Sequence, residues 1–259
     1  MTTNVQYERN DKGYSIIRLN RPEKHNAISV QMTEELRVSL EQAKKDKVKF
    51  LVITGAGDRM FCAGGDLNDL HGDLSSDEAY EHLTPMKEIL YEIASFPVPT
   101  ICLLNGDALG GGCELATSCD FRITKPSTKF GFVQANLGII PGWGGGVLLY
   151  EKVAHSFAYQ WLLEAKVYPA EELKKRGWIH RIVEDFQLEN IDKLLEPYLS
   201  KSYDQMKVLK NQYKKALSAS DLSSRMSEEV KDCSYLWTSE EHKRAVDHFF
   251  QRKQRKNKC

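Results

Sequence analysis

Residues 105–120 read Asn105-Gly106-Asp107-Ala108-Leu109-Gly110-Gly111-Gly112-Cys113-Glu114-Leu115-Ala116-Thr117-Ser118-Cys119-Asp120, directly after the apolar run Pro99-Thr100-Ile101-Cys102-Leu103-Leu104. An apolar run of strand length, a glycine cluster and then Glu-Leu-Ala predict a strand turning sharply into a helix. Three successive glycines remove every Cβ from the turn, so a ligand can approach the backbone and its free N–H groups. Those amides, with the helix dipole behind them, suit developing negative charge. Taken alone, the cluster also reads as a tight turn in which glycine merely lets helix and strand pack.

A second stretch, Phe61-Cys62-Ala63-Gly64-Gly65-Asp66-Leu67, again offers small residues and bare backbone after an apolar strand, Phe50-Leu51-Val52-Ile53-Thr54. Two backbone amides from two such turns can grip one oxygen from two sides. The two motifs and their spacing resemble those of the crotonase superfamily, also called the enoyl-CoA hydratase/isomerase family, and the resemblance extends over nearly the whole chain. It implies an α/β fold, a spiral of ββα units with a C-terminal helical part that packs in trimers or dimers of trimers. It also implies an acyl-CoA thioester as substrate, with coenzyme A arriving as part of it and no permanently bound cofactor. In that family paired amides hold the thioester oxygen as an enolate forms, which points to Gly65 and Gly111 here.

Length and composition agree with one large core or a core with an appendage. At 259 residues, 41% hydrophobic and 28% charged, the chain reads as an ordinary globular protein. The net charge of zero argues for neither nucleic acid nor an anionic membrane as partner. The tail Arg252-Lys253-Gln254-Arg255-Lys256-Asn257-Lys258 nevertheless carries five positive charges. Six cysteines show no C-x-x-C pair and no metal-ligand spacing, so buried reduced thiols and no metal are expected. Without an apolar leader at the start or a long apolar run elsewhere, a cytoplasmic location is expected.

Tyr14-Ser15-Ile16-Ile17-Arg18-Leu19 reads as a strand, and Asn20 to Asn26 as a polar connection to a helix capped by Ser29, with Thr33, Leu36, Leu40 and Ala43 as its apolar stripe. Ser75 and Glu78 have capping-box spacing, opening a helix with Leu83, Met86, Leu90 and Ile93 on one face. Further strands are expected over Cys119–Thr124, Lys129–Phe132 and Trp178–Val183, and helices after the glycine cluster at 142–146, over Phe157–Leu163 and over Ala170–Arg176. From Leu188 the pattern is almost wholly helical. These alternations suggest an α/β core over 1–190 and a helical segment over 191–259; the resemblance implies that the core carries the acyl-CoA site and that the helical segment serves oligomerisation.

Enolate chemistry on a thioester needs a grip on the oxygen and a group that moves a proton at carbon. Glu114, one helical turn beyond Gly111, is the candidate proton carrier; a solvent-facing glutamate favoured by the dipole is the alternative. Members of the family that hydrate enoyl-CoA pair this glutamate with a second one, and the matching position here is Gln134. An amide holds water or substrate by hydrogen bonds but exchanges no proton at neutral pH. Decarboxylation of a malonyl-type thioester reaches the same enolate with one carboxyl group. The segment Gly138-Ile139-Ile140-Pro141-Gly142-Trp143-Gly144-Gly145 also resembles that of the ethylmalonyl-CoA decarboxylases, with Pro141, Gly142 and Trp143 as substrate-binding candidates; Trp143 either shapes the acyl pocket or simply packs beside the glycine run. For the coenzyme, the resemblance points to Lys24 and the backbone around Ala27, Ala63, Asp66 and Leu67, with the basic tail as a second phosphate candidate.

Rival classes are weaker. Gly55-Ala56-Gly57-Asp58-Arg59-Met60 has Met60 where a dinucleotide fingerprint needs its third glycine, and neither G-K-[ST] nor G-x-S-x-G occurs. A non-catalytic acyl-CoA or RNA binder stays as an alternative, although residues 30–45 carry Glu34, Glu35 and Glu41 where an RNA-binding branch of the family has a lysine comb.

Overall fold

A computed structural model describes residues 3–70, 74–185, 188, 190–217 and 221–256. Two sheets organise the chain. The larger has the order β1 (Val5–Asn10), β2 (Tyr14–Leu19), β3 (Phe50–Gly55), β5 (Thr100–Leu104), β7 (Phe121–Thr124), β10 (Arg181–Ile182). All its neighbours are parallel except β1 and β2. β3 and β5 are buried along their whole length, which is why they read as continuous apolar runs rather than alternating ones. The smaller sheet runs β4 (Met60–Cys62), β6 (Asp107–Leu109), β8 (Lys129–Gly131), β9 (Tyr168–Pro169).

The two sheets revise the expected strand-to-helix turns. β3 and β5 do not lead straight into their glycine clusters; each is followed by a three-residue strand in the second sheet, and β4 and β6 lie parallel side by side. Both glycine turns therefore emerge from neighbouring strands. The last expected strand shrinks to Arg181–Ile182, because Trp178 and Ile179 are buried after the helix Ala170–Lys175 instead of pairing.

The helix α1 (Val30–Lys45) starts at Ser29, whose side chain accepts from the Met32 N–H, and Thr33, Leu36, Leu40 and Ala43 are buried on its inner face. α2 (Leu67–Leu70) is a single turn after the first glycine cluster. α3 (Ser76–Ala94) has the full Ser75–Glu78 capping box, and Leu83, Met86, Leu90 and Ile93 are buried. α4 (Gly111–Ser118) is buried throughout, and α5 (Gly145–Tyr150) packs against it. Beyond β10 the described residues are helical, and Leu222–Trp237 returns to pack along α3.

Five cysteines, Cys62, Cys102, Cys113, Cys119 and Cys233, are free and buried, as expected; Cys259 lies outside the described residues. No helix among the described residues is long and apolar enough to cross a membrane.

Candidate active site

The two glycine turns touch. Gly64 has φ +100°, and a Cβ built on it would stand 3.2 Å from the Gly111 nitrogen and 3.2 Å from the Leu109 carbonyl. A Cβ on Gly112 would lie 2.1 Å from the Cys62 carbonyl oxygen, so any larger residue would drive the turns apart. Gly65 bridges Ile28, with the Ile28 N–H donating to Gly64 (2.8 Å) and the Asp66 N–H donating to Ile28 (2.8 Å). Strand alternation then points the N–H of Gly65 away from Ile28. Gly111 is the first residue of α4, where an amide has no partner inside the helix.

Glu114 sits in the first turn of α4 with 2% of its surface exposed. Its Oε1 accepts from Gln134 Nε2 (2.8 Å) and the Gly142 N–H (3.4 Å), and its Oε2 accepts from the N–H groups of Trp143 (2.9 Å) and Gly145 (3.0 Å). A carboxyl is thus wrapped in neutral donors, and none of these partners is a cation. Burial raises its pKa above the ordinary carboxylate value, and the hydrogen bonds from Trp143, Gly145, Gln134 and Gly142 oppose that shift. Gly145 must be glycine, because its Cβ would fall 2.3 Å from the Glu114 side chain.

Gln134, Gly142 and Trp143 therefore converge with Gly111 and Glu114. The indole of Trp143 lies over Gly111, where a Cβ would meet the ring at 2.2 Å. On its other side Trp143 forms one wall of a cavity of about 210 Å³ between α1 and α3, with Ile28, Thr33, His82 and Met86 among the lining. Pro141 is buried beside these groups.

The expected coenzyme-binding residues gather on a separate loop pair. Lys24 is exposed at the end of a 3-10 turn, Pro22–Lys24, and Ala27, Ala63 and Leu67 are partly exposed. Asp66 is buried, and its carboxylate pairs with Arg21 at 3.1 Å. The Arg21 guanidinium also donates to the Ala27 carbonyl (2.9 Å), and Asn26, at φ +52°, donates to the carbonyls of Ala56 and Met60. Arg21 and Asn26 escape a sequence reading, because their partners lie far along the chain and no local pattern marks them. The basic tail, apart from Arg252, has no described side chains, so that expectation falls outside the described residues.

Glu229 is a further group that the sequence did not single out. From the helix Leu222–Trp237 its partly buried carboxyl accepts from the N–H groups of Gly146 (3.0 Å) and Val147 (2.7 Å), on the same glycine loop that Glu114 holds. Burial, and secondly the charge of Glu114, push its pKa well above the usual range. Among the described residues no group of three His, Cys, Asp or Glu side chains is placed to hold a metal.

The chain belongs to the enoyl-CoA hydratase/isomerase family, whose model matches residues 9–258. It is 36% identical over 186 residues to a crotonyl-CoA hydratase of Syntrophomonas wolfei, a match covering 71% of each chain. It is also 34% identical over 181 residues to the mitochondrial methylglutaconyl-CoA hydratase of Mus musculus, covering 70% of this chain and 57% of the relative. The chain thus spans little more than half the length of that mammalian protein. Among solved structures, an enoyl-CoA hydratase from Bacillus halodurans superposes with a TM-score of 0.83 at 23% identity, over 95% of this chain and 99% of that one. At that identity the likeness establishes the crotonase-type fold.

Proposed function

We infer that this protein binds an acyl-CoA thioester and stabilises its enolate, with the N–H groups of Gly65 and Gly111 on the thioester oxygen and Glu114 moving the proton at carbon. The observation that carries this reading is Glu114: a buried carboxyl one turn from Gly111, held by neutral donors alone, with its pKa raised by burial. Such a group holds a proton more readily than an exposed carboxylate and gives it up to a developing carbanion. The touching glycine turns support the paired-amide grip, and loss of one such donor costs about a hundred- to a thousandfold in rate. Lys24 and the backbone of Ala27, Ala63, Asp66 and Leu67 would receive the coenzyme, with Arg21 holding the two loops together.

Hydration or double-bond isomerisation of an enoyl-CoA is the reaction in keeping with the family. Gln134 favours a second reading, decarboxylation of methylmalonyl-CoA or ethylmalonyl-CoA. There the bond from the α carbon to the carboxylate breaks, carbon dioxide leaves, and the electron pair moves onto the thioester oxygen. Glu114 then protonates the α carbon, so the step needs one carboxyl group only. Incubation with crotonyl-CoA, methylmalonyl-CoA and ethylmalonyl-CoA, followed by product mass, separates the readings. A gain of water by the first supports hydration, loss of carbon dioxide from the others supports decarboxylation, and three unchanged thioesters would refute both.

The cytoplasmic location and the trimeric or hexameric assembly belong to the same proposal. Exposed Val208 and Leu209 on the helix Tyr203–Ala216 support an interface there, which sedimentation tests.

A further inference from the structure

The side-chain amide of Gln134 faces two ways. Its Nε2 donates to Glu114, whereas its Oε1 is buried with no hydrogen-bond partner, although the residue is only 8% exposed. A buried acceptor without a donor carries a desolvation penalty that a ligand group can relieve. The orientation follows from the charge of Glu114, because a carboxylate accepts only and the amide nitrogen must face it. Once Glu114 carries a proton on Oε1, the favourable orientation reverses: Oε1 of Gln134 accepts from the new O–H, and the NH₂ group turns outward. The amide lies beside Gly110, next in sequence to Gly111, where a Cβ on Gly110 would be 3.9 Å from its Cδ and 4.0 Å from its Nε2.

We propose that Gln134 is a specificity-determining residue that reads the protonation state of Glu114 and shows the substrate either a carbonyl or an NH₂ group. With Glu114 ionised, the unpartnered buried acceptor suits a water or a hydroxyl that reaches it and disfavours a carboxylate. With Glu114 protonated, the exposed donor suits the carboxylate of a malonyl-type thioester. This selection rests on the acyl-CoA reading above and names the substrate class that each state of the site takes.

The groups around Glu114 leave it the one that titrates. The glycine loop 142–145 presents only backbone N–H, and the turn at 134 only a neutral amide. Cys113 on its own helix, and Cys233 and Glu229 from the helix Leu222–Trp237, are each pushed well above their ordinary values by burial. Of the three, Glu229 also feels the charge of Glu114, which is the second cause of its own raised pKa.

The test compares equilibrium binding of 2-sulfopropionyl-CoA, whose sulfonate stays ionised and cannot leave as carbon dioxide, with that of butyryl-CoA. Both carry the same coenzyme, so its titration cancels in the ratio of the two Kd values. As pH rises from the ordinary carboxylate value of 4.5, above which burial places the ionisation of Glu114, the preference for the anionic ligand is expected to fall about tenfold or more in the wild type. In Glu114→Gln the new amide donates to Gln134 Oε1 as the protonated acid would, so the preference stays high and flat with pH. Gln134→Met removes the reorienting amide and leaves only direct repulsion between the Glu114 carboxylate and the sulfonate, so the pH dependence is expected to be smaller than in the wild type. Full wild-type dependence in Gln134→Met, or a flat ratio in the wild type, would overturn the proposal while leaving the acyl-CoA reading intact. Failure of both thioesters to bind at any pH would overturn the two together.

Discussion

Helix α4 has one buried carboxylate near each end, and the two are held by opposite means. Glu114, in the first turn, is surrounded by neutral N–H donors. Asp120, two residues beyond the last turn, binds the Lys210 ammonium through both oxygens, accepts from the Thr100 N–H at 2.9 Å, and has Lys152 3.9 Å away. The Asp120 carboxylate is thus held by ion pairs. A carboxylate held by dipoles alone can still take up a proton, because its partners cost less to lose. The difference separates an ion-paired carboxylate from the proposed proton carrier within ten residues of chain.

Removing the charge from each carboxylate in turn should break different properties. Glu114→Gln keeps side-chain size and one acceptor oxygen, so folding is expected to survive while kcat falls by about a hundred- to ten-thousandfold. Full activity in that variant would refute its role. Lys210→Met leaves Asp120 buried with Lys152 as its remaining cation. It is expected to lower stability by about 3–5 kcal/mol in urea unfolding while activity per folded molecule persists.

A smaller effect sharpens the ion-paired end. Burial lowers the pKa of Lys152 from 10.5 to about 8, against the pull of Asp120. Between those values the unfolded chain holds a proton that the folded chain lacks, so stability rises with pH across that window. The gain is on the order of 1–3 kcal/mol, and Lys152→Met should flatten it in urea unfolding at pH 8 and pH 10. Smallest of all is the gain from Gln134→Glu. It restores a second carboxyl beside Glu114 and is expected to raise hydration of crotonyl-CoA several-fold. An unchanged rate would mean that this side chain does not face the reacting end.

One half of this contrast, and much of the fold around it, is legible in the sequence. The β2 and β3 strands, the Ser29 and Ser75 caps and the inner faces of α1 and α3 are local patterns, and they fold as the sequence predicts. Glu114 was legible because its distance from Gly111 is fixed by one helical turn. β4 and β6 were not, since three residues are too few for alternation to register. β1 was also missed, because its half-exposed residues hide any period. The partners of Asp120 lie at positions 152 and 210, and Glu229 reaches the glycine loop from a distant helix. Such contacts follow from tertiary packing and leave no local mark. Trp143 could be expected to shape a pocket, but its position over Gly111 depends on how Glu114 holds the loop from Gly142 to Gly145.

The most direct measurement follows the proton itself. On the proposed mechanism, hydration and decarboxylation each place a solvent-derived proton on carbon by way of Glu114, so either turnover in deuterium oxide should label the product carbon with deuterium. The wild type is expected to give a labelled product from at least one of the three thioesters, and Glu114→Gln to bind the same thioester and return it unlabelled. Labelled product formed by Glu114→Gln at the wild-type rate would contradict the assignment of Glu114 as the proton carrier.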